Sequence, residues 1–149
     1  MITVDTNVLV YVYDGFDAAR QKAALTIVQR LTAGRSPVAR QAIGELHNVL
    51  RRKLRRPAWE AAHAARTVLT AFESSFPASA QAVEDALAHA SAGSLSYWDA
   101  LLIASARDAG CSTLISEDMH PGRFLSIEIV KPFDASGRFS DRVIELLGL

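Results

Sequence analysis

SYWDALLIASARDAGCSTLISED, residues 96–118, holds a complete passage from helix to strand. Leu102, Ile103 and Ala106 stand three, four and seven residues after Asp99, the spacing of one helix face. Ser96 and Asp99 offer a capping box at the start, and Gly110 follows the end. The pattern predicts a helix over Ser96–Ala109. The apolar run Thr113–Ile115 then reads as a buried strand. Carboxylates bracket the passage: Asp99 heads the stripe that should face the core, and Asp118 follows the strand. An acid at the head of such a stripe is costly unless it caps the helix, is paired, is protonated or holds a metal.

The same arrangement opens the chain. In MITVDTNVLVYVY, residues 1–13, Ile2–Val4 reads as a strand and Asp5 sits at its carboxyl end. Val8–Tyr13 then reads as a short helix or turn, with Asn7 as its cap. Between these ends the spacing predicts helices over 18–31, stopped at Gly34, and over 41–54, ended by Pro57. Further helices are expected over 59–72, closed by the breaker SSFP, and over 80–90. Pro37–Ala39 and Ile127–Val130 read as strands, and Ser140–Leu147 as a last helix. Short strands separated by helices indicate an α/β fold with a short, mostly parallel central sheet flanked by helices. Ligands of such sheets bind beyond the carboxyl ends of the strands.

A chain of 149 residues suits one core, and half of it is hydrophobic. The formal net charge is zero, so any nucleic-acid surface must be a local patch. The single Cys111 excludes an internal disulfide and reads as a buried, inert thiol. The start lacks a signal peptide's basic region, and no apolar run reaches the length of a membrane span. These features read as a cytoplasmic protein with no membrane contact.

Asp5, Asp99 and Asp118 are joined by Glu45, on the flank of the stripe made by Ile43, Leu46 and Leu50. Each acid has a plain reading: Asp5 as a turn or cap residue, Asp99 as half of a capping box, Glu45 as a solvated helix acid, Asp118 as a loop acid. At least three of them sit where one sheet edge gathers them. Carboxylates so gathered repel, and a hard cation such as Mg²⁺ or Mn²⁺ relieves the repulsion. His47, His63, His89 and His120 are scattered and give no zinc spacing. Neither a phosphate-binding glycine loop nor a nucleophile elbow is present.

MITVDTNVLVY, IGELHNVL, the 96–119 block and IEIVKPF together resemble the PIN-domain nucleases, and among them the VapC-type toxins of bacterial toxin–antitoxin pairs. The resemblance runs from Met1 to about Phe133. It implies a PIN-like nuclease domain over 1–133, with 134–149 a helical extension of the same domain. It implies a metal-dependent endoribonuclease toxin that hydrolyses RNA phosphodiester bonds at a Mg²⁺ or Mn²⁺ site. Asp5, Glu45 and Asp99 match the principal acids and Asp118 the fourth, with Glu117 adjoining as the alternative. Thr6, Asn7 and Ser116 are the implied supporting residues. An antitoxin partner, a homodimer and products with 5′-phosphate and 3′-hydroxyl ends are also implied. Without metal, Asp5, Glu45 and Asp99 are expected to repel and raise at least one carboxyl pKa.

Two other readings stay open. A haloacid-dehalogenase-like phosphatase also puts an Asp after its first strand, but needs D-x-D where this chain reads Asp5-Thr6-Asn7. An inactive binding module on the same fold is the other. The run RRKLRRP, residues 51–57, is either a solvated helix end or an RNA contact. Arg52 and Arg56 would then share the Glu45 face, about 10 and 16 Å along the axis. Trp59 with Ala62, Ala65 and Arg66, or Phe72 and Phe76, are candidate partner surfaces. Trp98 is expected to pack in the core or the site wall rather than to stack on a base.

Overall fold

The computed structural model describes residues 1–149. Three parallel strands form its centre: β1 (Ile2–Val4), β4 (Thr113–Ile115) and β6 (Ile127–Val130). Their register aligns Val4 with Ile115 and Ile115 with Val130, so all three strands end level at one edge. An antiparallel strand, β5 (Gly122–Phe124), closes the far side, giving the order β1-β4-β6-β5. A separate parallel pair, β2 (Pro37–Ala39) and β3 (Ser74–Phe76), lies beside β1. The buried Thr3 hydroxyl donates to the Pro37 carbonyl at 2.9 Å and ties the pair to the sheet.

Seven helices surround the strands: α1 (Thr6–Tyr13), α2 (Ala18–Ala33), α3 (Arg40–Arg52), α4 (Ala58–Ala71), α5 (Ala80–Ser91), α6 (Tyr97–Asp108) and α7 (Asp141–Leu147). The core buries Leu9, Ile27, Leu46, Leu50, Leu102, Ile103 and Leu114 to exposures of 2% or less. Helix α6 is buried from Ala100 to Ala106, between the sheet on one face and α5 on the other. Ala82, Ala86, Ala100 and Ala104 line the α5–α6 contact, where small side chains permit close approach. No helix is long and apolar enough to cross a membrane.

Several boundaries differ from the expectation. Asp5, not Asn7, caps α1: its Oδ1 accepts from the Thr6 amide at 2.6 Å. SSFP is a strand rather than a breaker, with Phe76 buried and Pro77 following it. The hairpin β5–β6 turns through Leu125 and Ser126, both at positive φ (48° and 71°). That two-residue turn usually advertises itself with Asn-Gly, so Leu-Ser conceals it. Helix α3 ends at Arg52, and Arg56 therefore lies off its axis.

The segment after Phe133 folds back on the same body. Phe133 and Phe139 pair through their backbones and stack at 6.3 Å. Ser140 caps α7 and Val143 is fully buried. Arg142 forks onto Glu128 of β6 at 2.9 and 2.8 Å.

Candidate active site

Asp5 and Ser116 are the first residues past the ends of β1 and β4, and the register makes them neighbours. The Asp5 amide donates to the Ile115 carbonyl at 2.9 Å, continuing the ladder. The Ser116 hydroxyl donates to Asp5 Oδ2 at 2.7 Å, and Asn7 Nδ2 donates to the same oxygen at 3.0 Å. Asp5 is thus a buried carboxylate with both oxygens held. Burial pushes its pKa up to about 6, against the lowering effect of the Ser116 and Thr6 hydrogen bonds. Glu45 and Asp99 add to the rise, so the expected repulsion is present but secondary to desolvation.

Glu45 arrives from α3, on the edge of the stripe made by buried Ala42, Leu46 and Leu50. Its Oε2 accepts from the Thr6 hydroxyl at 2.7 Å and its Oε1 from Gln41 Nε2 at 2.8 Å. Asp99 stands in the first turn of α6. Its amide donates to Ser96 Oγ at 3.1 Å, but its carboxylate takes no part in a reciprocal box. The carboxylate faces a cleft of about 330 Å³ instead. Asp118, exposed in the turn after β4, lines the same cleft with Asp5, Thr6, Asn7 and Glu45. Glu117 points elsewhere, to Arg20 at 3.6 Å. Asp118 is therefore the acid that the fold aims at the cleft.

Asp5, Glu45, Asp99 and Asp118 come from four separate parts of the chain to share this cleft with a fifth acid, Asp14, and no lysine or arginine lies within ion-pair distance of any of them. As placed, no three of them gather into a chelate. Like charges with no cation between them separate. The donor set, all carboxylate oxygen with no histidine or thiol, nevertheless fits a hard divalent cation. Asn7 answers the phosphatase alternative. Its amide donates to Asp5, and its carbonyl oxygen accepts from the Glu117 amide at 3.3 Å. A second acid there has no proton to offer Asp5.

Tyr11, Asp14 and Lys53 also line the cleft, and the sequence reading passed over them. Their signal was helical spacing: Asn7, Tyr11 and Asp14 at i, i+4 and i+7, and Glu45, Val49 and Lys53 four apart. Arg52 and Arg56 are not among the lining residues. Arg56 instead donates to the Tyr13 carbonyl at 3.2 Å and approaches Glu60 at 3.5 Å. The basic residue of the run that lines the cleft is Lys53. Phe72 and Phe76 are core residues, which removes them as a partner surface, whereas Trp59 is 72% exposed. Trp98 is 61% exposed rather than packed in the core.

Comparison with known proteins agrees with this architecture. The chain is similar in structure to the Mycobacterium tuberculosis toxin VapC20, described as cleaving the Sarcin-Ricin loop. The match has 24% identity over 76% of this chain and 87% of that one, with a TM-score of 0.57. It is also similar to VapBC2 from Rickettsia felis, solved bound to a DNA fragment from their promoter. There the identity is 15% over 88% of this chain and 98% of that one, with a TM-score of 0.65. At these identities the likeness is one of fold. No curated protein matches the sequence. The PIN domain family matches residues 2–124, a span that includes Asp5, Glu45, Asp99 and Asp118. The chain belongs to the PIN domain family.

Proposed function

We propose that the chain is a metal-dependent endoribonuclease, the toxin of a VapBC-type toxin–antitoxin pair. The observation that carries this reading is the single cleft lined by Asp5, Glu45, Asp99 and Asp118, none of which is ion-paired to a lysine or arginine. Family membership supports nuclease chemistry. The fold likeness to VapC20 and VapBC2 supports the toxin assignment.

Asp5, Glu45, Asp99 and Asp118 would hold Mg²⁺ or Mn²⁺. When bound, such an ion supplies Lewis acidity toward a phosphate oxygen and lowers the pKa of an attacking water. The chain's own residues prepare the place. Ser116, Asn7 and the Thr6 amide fix the orientation of Asp5. The Thr6 hydroxyl and Gln41 fix Glu45. Asp99 and Asp118 keep carboxylates free of protein hydrogen bonds, available to a ligand or to water. Lys53, on the cleft wall, contributes positive potential toward a phosphodiester.

An antitoxin would cover exposed apolar surface such as Trp59 with Ala62 and Ala65, and a homodimer is part of the same reading. The test is cleavage of an RNA pool by the purified chain, with Mg²⁺ or Mn²⁺ and with EDTA. Cleavage that needs the ion and leaves 5′-phosphate ends supports the proposal. Undiminished cleavage after thorough chelation, or none with either ion, sinks it.

A further inference from the structure

Beside the acid cleft lies a second cavity of about 760 Å³, and Glu45 belongs to both. Its walls are Arg40, Gln41, Asn48, Pro77, Leu101 and Trp98. Three observations there await an explanation. Trp98 is 61% exposed, although the fold has an apolar core within reach of its own helix. Its one aromatic neighbour is Tyr97, edge to face at 5.1 Å. The Gln41 amide holds both sides together, donating to Glu45 Oε1 at 2.8 Å and to the Trp98 carbonyl at 3.1 Å. The Trp98 backbone is therefore anchored to a catalytic candidate while its indole stays in solvent.

The exposed indole leaves a broad flat apolar face open to solvent, where a second ring can stack on it. The cavity's chemistry identifies the occupant. Arg40 spends only its Nε on the protein, at 3.2 Å to Ser75 Oγ, and forms no ion pair, which leaves its terminal N–H groups for a phosphate. Asn48 offers an amide group of the kind that meets base edges, while the Gln41 amide is committed to Glu45 and the Trp98 backbone. A flat π surface, a guanidinium with free N–H groups and an amide, continuous with the acid cleft, match an unpaired nucleotide.

We propose that Trp98 is the stacking platform for an unpaired base of the RNA substrate, with Arg40 on a phosphate beside it. The proposal rests on the ribonuclease reading and narrows its substrate to RNA that can splay a base out of a stack. A fully paired duplex cannot offer that base.

The experiment measures binding of a short single-stranded oligoribonucleotide, and of the same sequence as a duplex, in an Asp5→Asn background that keeps the RNA whole. Trp98→Ala should weaken single-strand binding roughly five- to a hundredfold, the range that base–aromatic stacking carries. Trp98→Phe should stay within about threefold of the parent, because a ring is retained. Duplex binding should be the same in all three. In a Trp59→Phe background Trp98 is the only tryptophan, and single-stranded RNA should quench its fluorescence. Unchanged single-strand affinity in Trp98→Ala, or equal loss for strand and duplex, overturns the proposal. So does loss of self-association or of antitoxin binding while RNA affinity stays intact, which would make Trp98 part of a protein interface. Chains with Asp5 intact separate the two ideas. Efficient RNA cleavage unaffected by Trp98→Ala sinks only the platform. Absent cleavage with binding and quenching preserved sinks only the nuclease reading.

Discussion

Between α5 and α6, Asp85 and Asp108 flank the Arg107 guanidinium at 2.8 and 2.7 Å. At the carboxyl edge of the sheet, Asp5, Glu45, Asp99 and Asp118 face no cation at such range. Hydrogen bonds from Arg107 and Ser79 hold Asp85 and Asp108 below the ordinary carboxylate range, while burial drives Asp5 up to about 6. Glu128 and Glu145 likewise flank the Arg142 guanidinium, at 2.8 and 2.7 Å. The chain has as many basic as acidic residues, yet no basic residue forms an ion pair with the four cleft acids. Acids that only hold the fold together are given partners. On the proposed reading, the cleft acids are left unpaired at a cost that a bound cation would remove.

The contrast should appear first in activity. Asp99→Asn should lower RNA cleavage by about a hundredfold or more, as loss of a ligand in metal-assisted hydrolysis does. Asp85→Asn should leave initial rates within about twofold, as an exposed surface pair allows. Comparable losses in both would erase the distinction between the two sets of acids.

Metal response is the next measure. Saturating Mn²⁺ should raise the melting temperature of the parent by mass action, worth about 2.7 kcal/mol at a hundred times Kd. Asp85→Asn should respond as fully as the parent, and Asp99→Asn much less. An equal response in all three removes Asp99 from the ligand set.

The signs of the pH effects should oppose each other. Asp5 has a raised folded-state pKa, so its stabilising contribution is complete below the unfolded value near 4. That contribution is lost as pH rises through about 6. In EDTA, Asp5→Asn should therefore gain on the parent between pH 4 and 7. A shift of about two units bounds the gain near 3 kcal/mol. The net at pH 7 should be on the order of 1 kcal/mol, because an amide meets one of the donors around Asp5 with its own N–H. Asn remains a good helix cap, so α1 does not offset this. Asp108 has a lowered pKa, so its contribution is present above the unfolded value and lost as pH falls through the folded one. Asp108→Asn should accordingly be less stable than the parent at pH 7. Thermal unfolding of both variants across this range checks the pair. Two shifts of the same sign would contradict the electrostatic contrast.

The smallest effect belongs to Ser116. Removing its hydroxyl takes a 2.7 Å bond from the ionised form of Asp5. Ser116→Ala should move the acid limb of the pH–rate profile upward, by about half a unit to one unit. A limb that stays in place, or moves down, would mean that Asp5 does not set it.

The acids were readable because a strand end is a position, not only a composition. Asp5 and Asp118 each follow a three-residue strand closely, and parallel register carries such ends to one edge. Asp99 was readable from its place at the head of the Leu102–Ala106 stripe. What escaped the reading lacked a local signal. Strand β3 is mostly Ser, and β5 enters a turn made from Leu and Ser. Phe72 and Phe76 flank a Ser-Ser pair that imitates a loop, and only tertiary packing shows them buried. Lys53 was overlooked among neighbouring arginines, because only the true end of α3 decides which cation of that run lines the cleft. Asp5 serving as its own helix cap was concealed by Asn7, an equally good cap two residues later.

The order of the strands has a consequence for synthesis on the ribosome. β1 is made first, but its ladder partner is β4, and Ser116, which steadies Asp5, follows it by 111 positions. A growing chain thus carries Asp5 and Glu45 long before Asp99, Ser116 and Asp118 exist. A prematurely terminated fragment that stops short of α6 has half of the acids, and one that stops short of β4 still lacks Asp118 and a finished sheet edge to hold the rest. Non-local pairing of this kind is slow to form and comes late. The cleft is therefore among the last features to be completed, and partial translation products of this chain should be inert toward RNA.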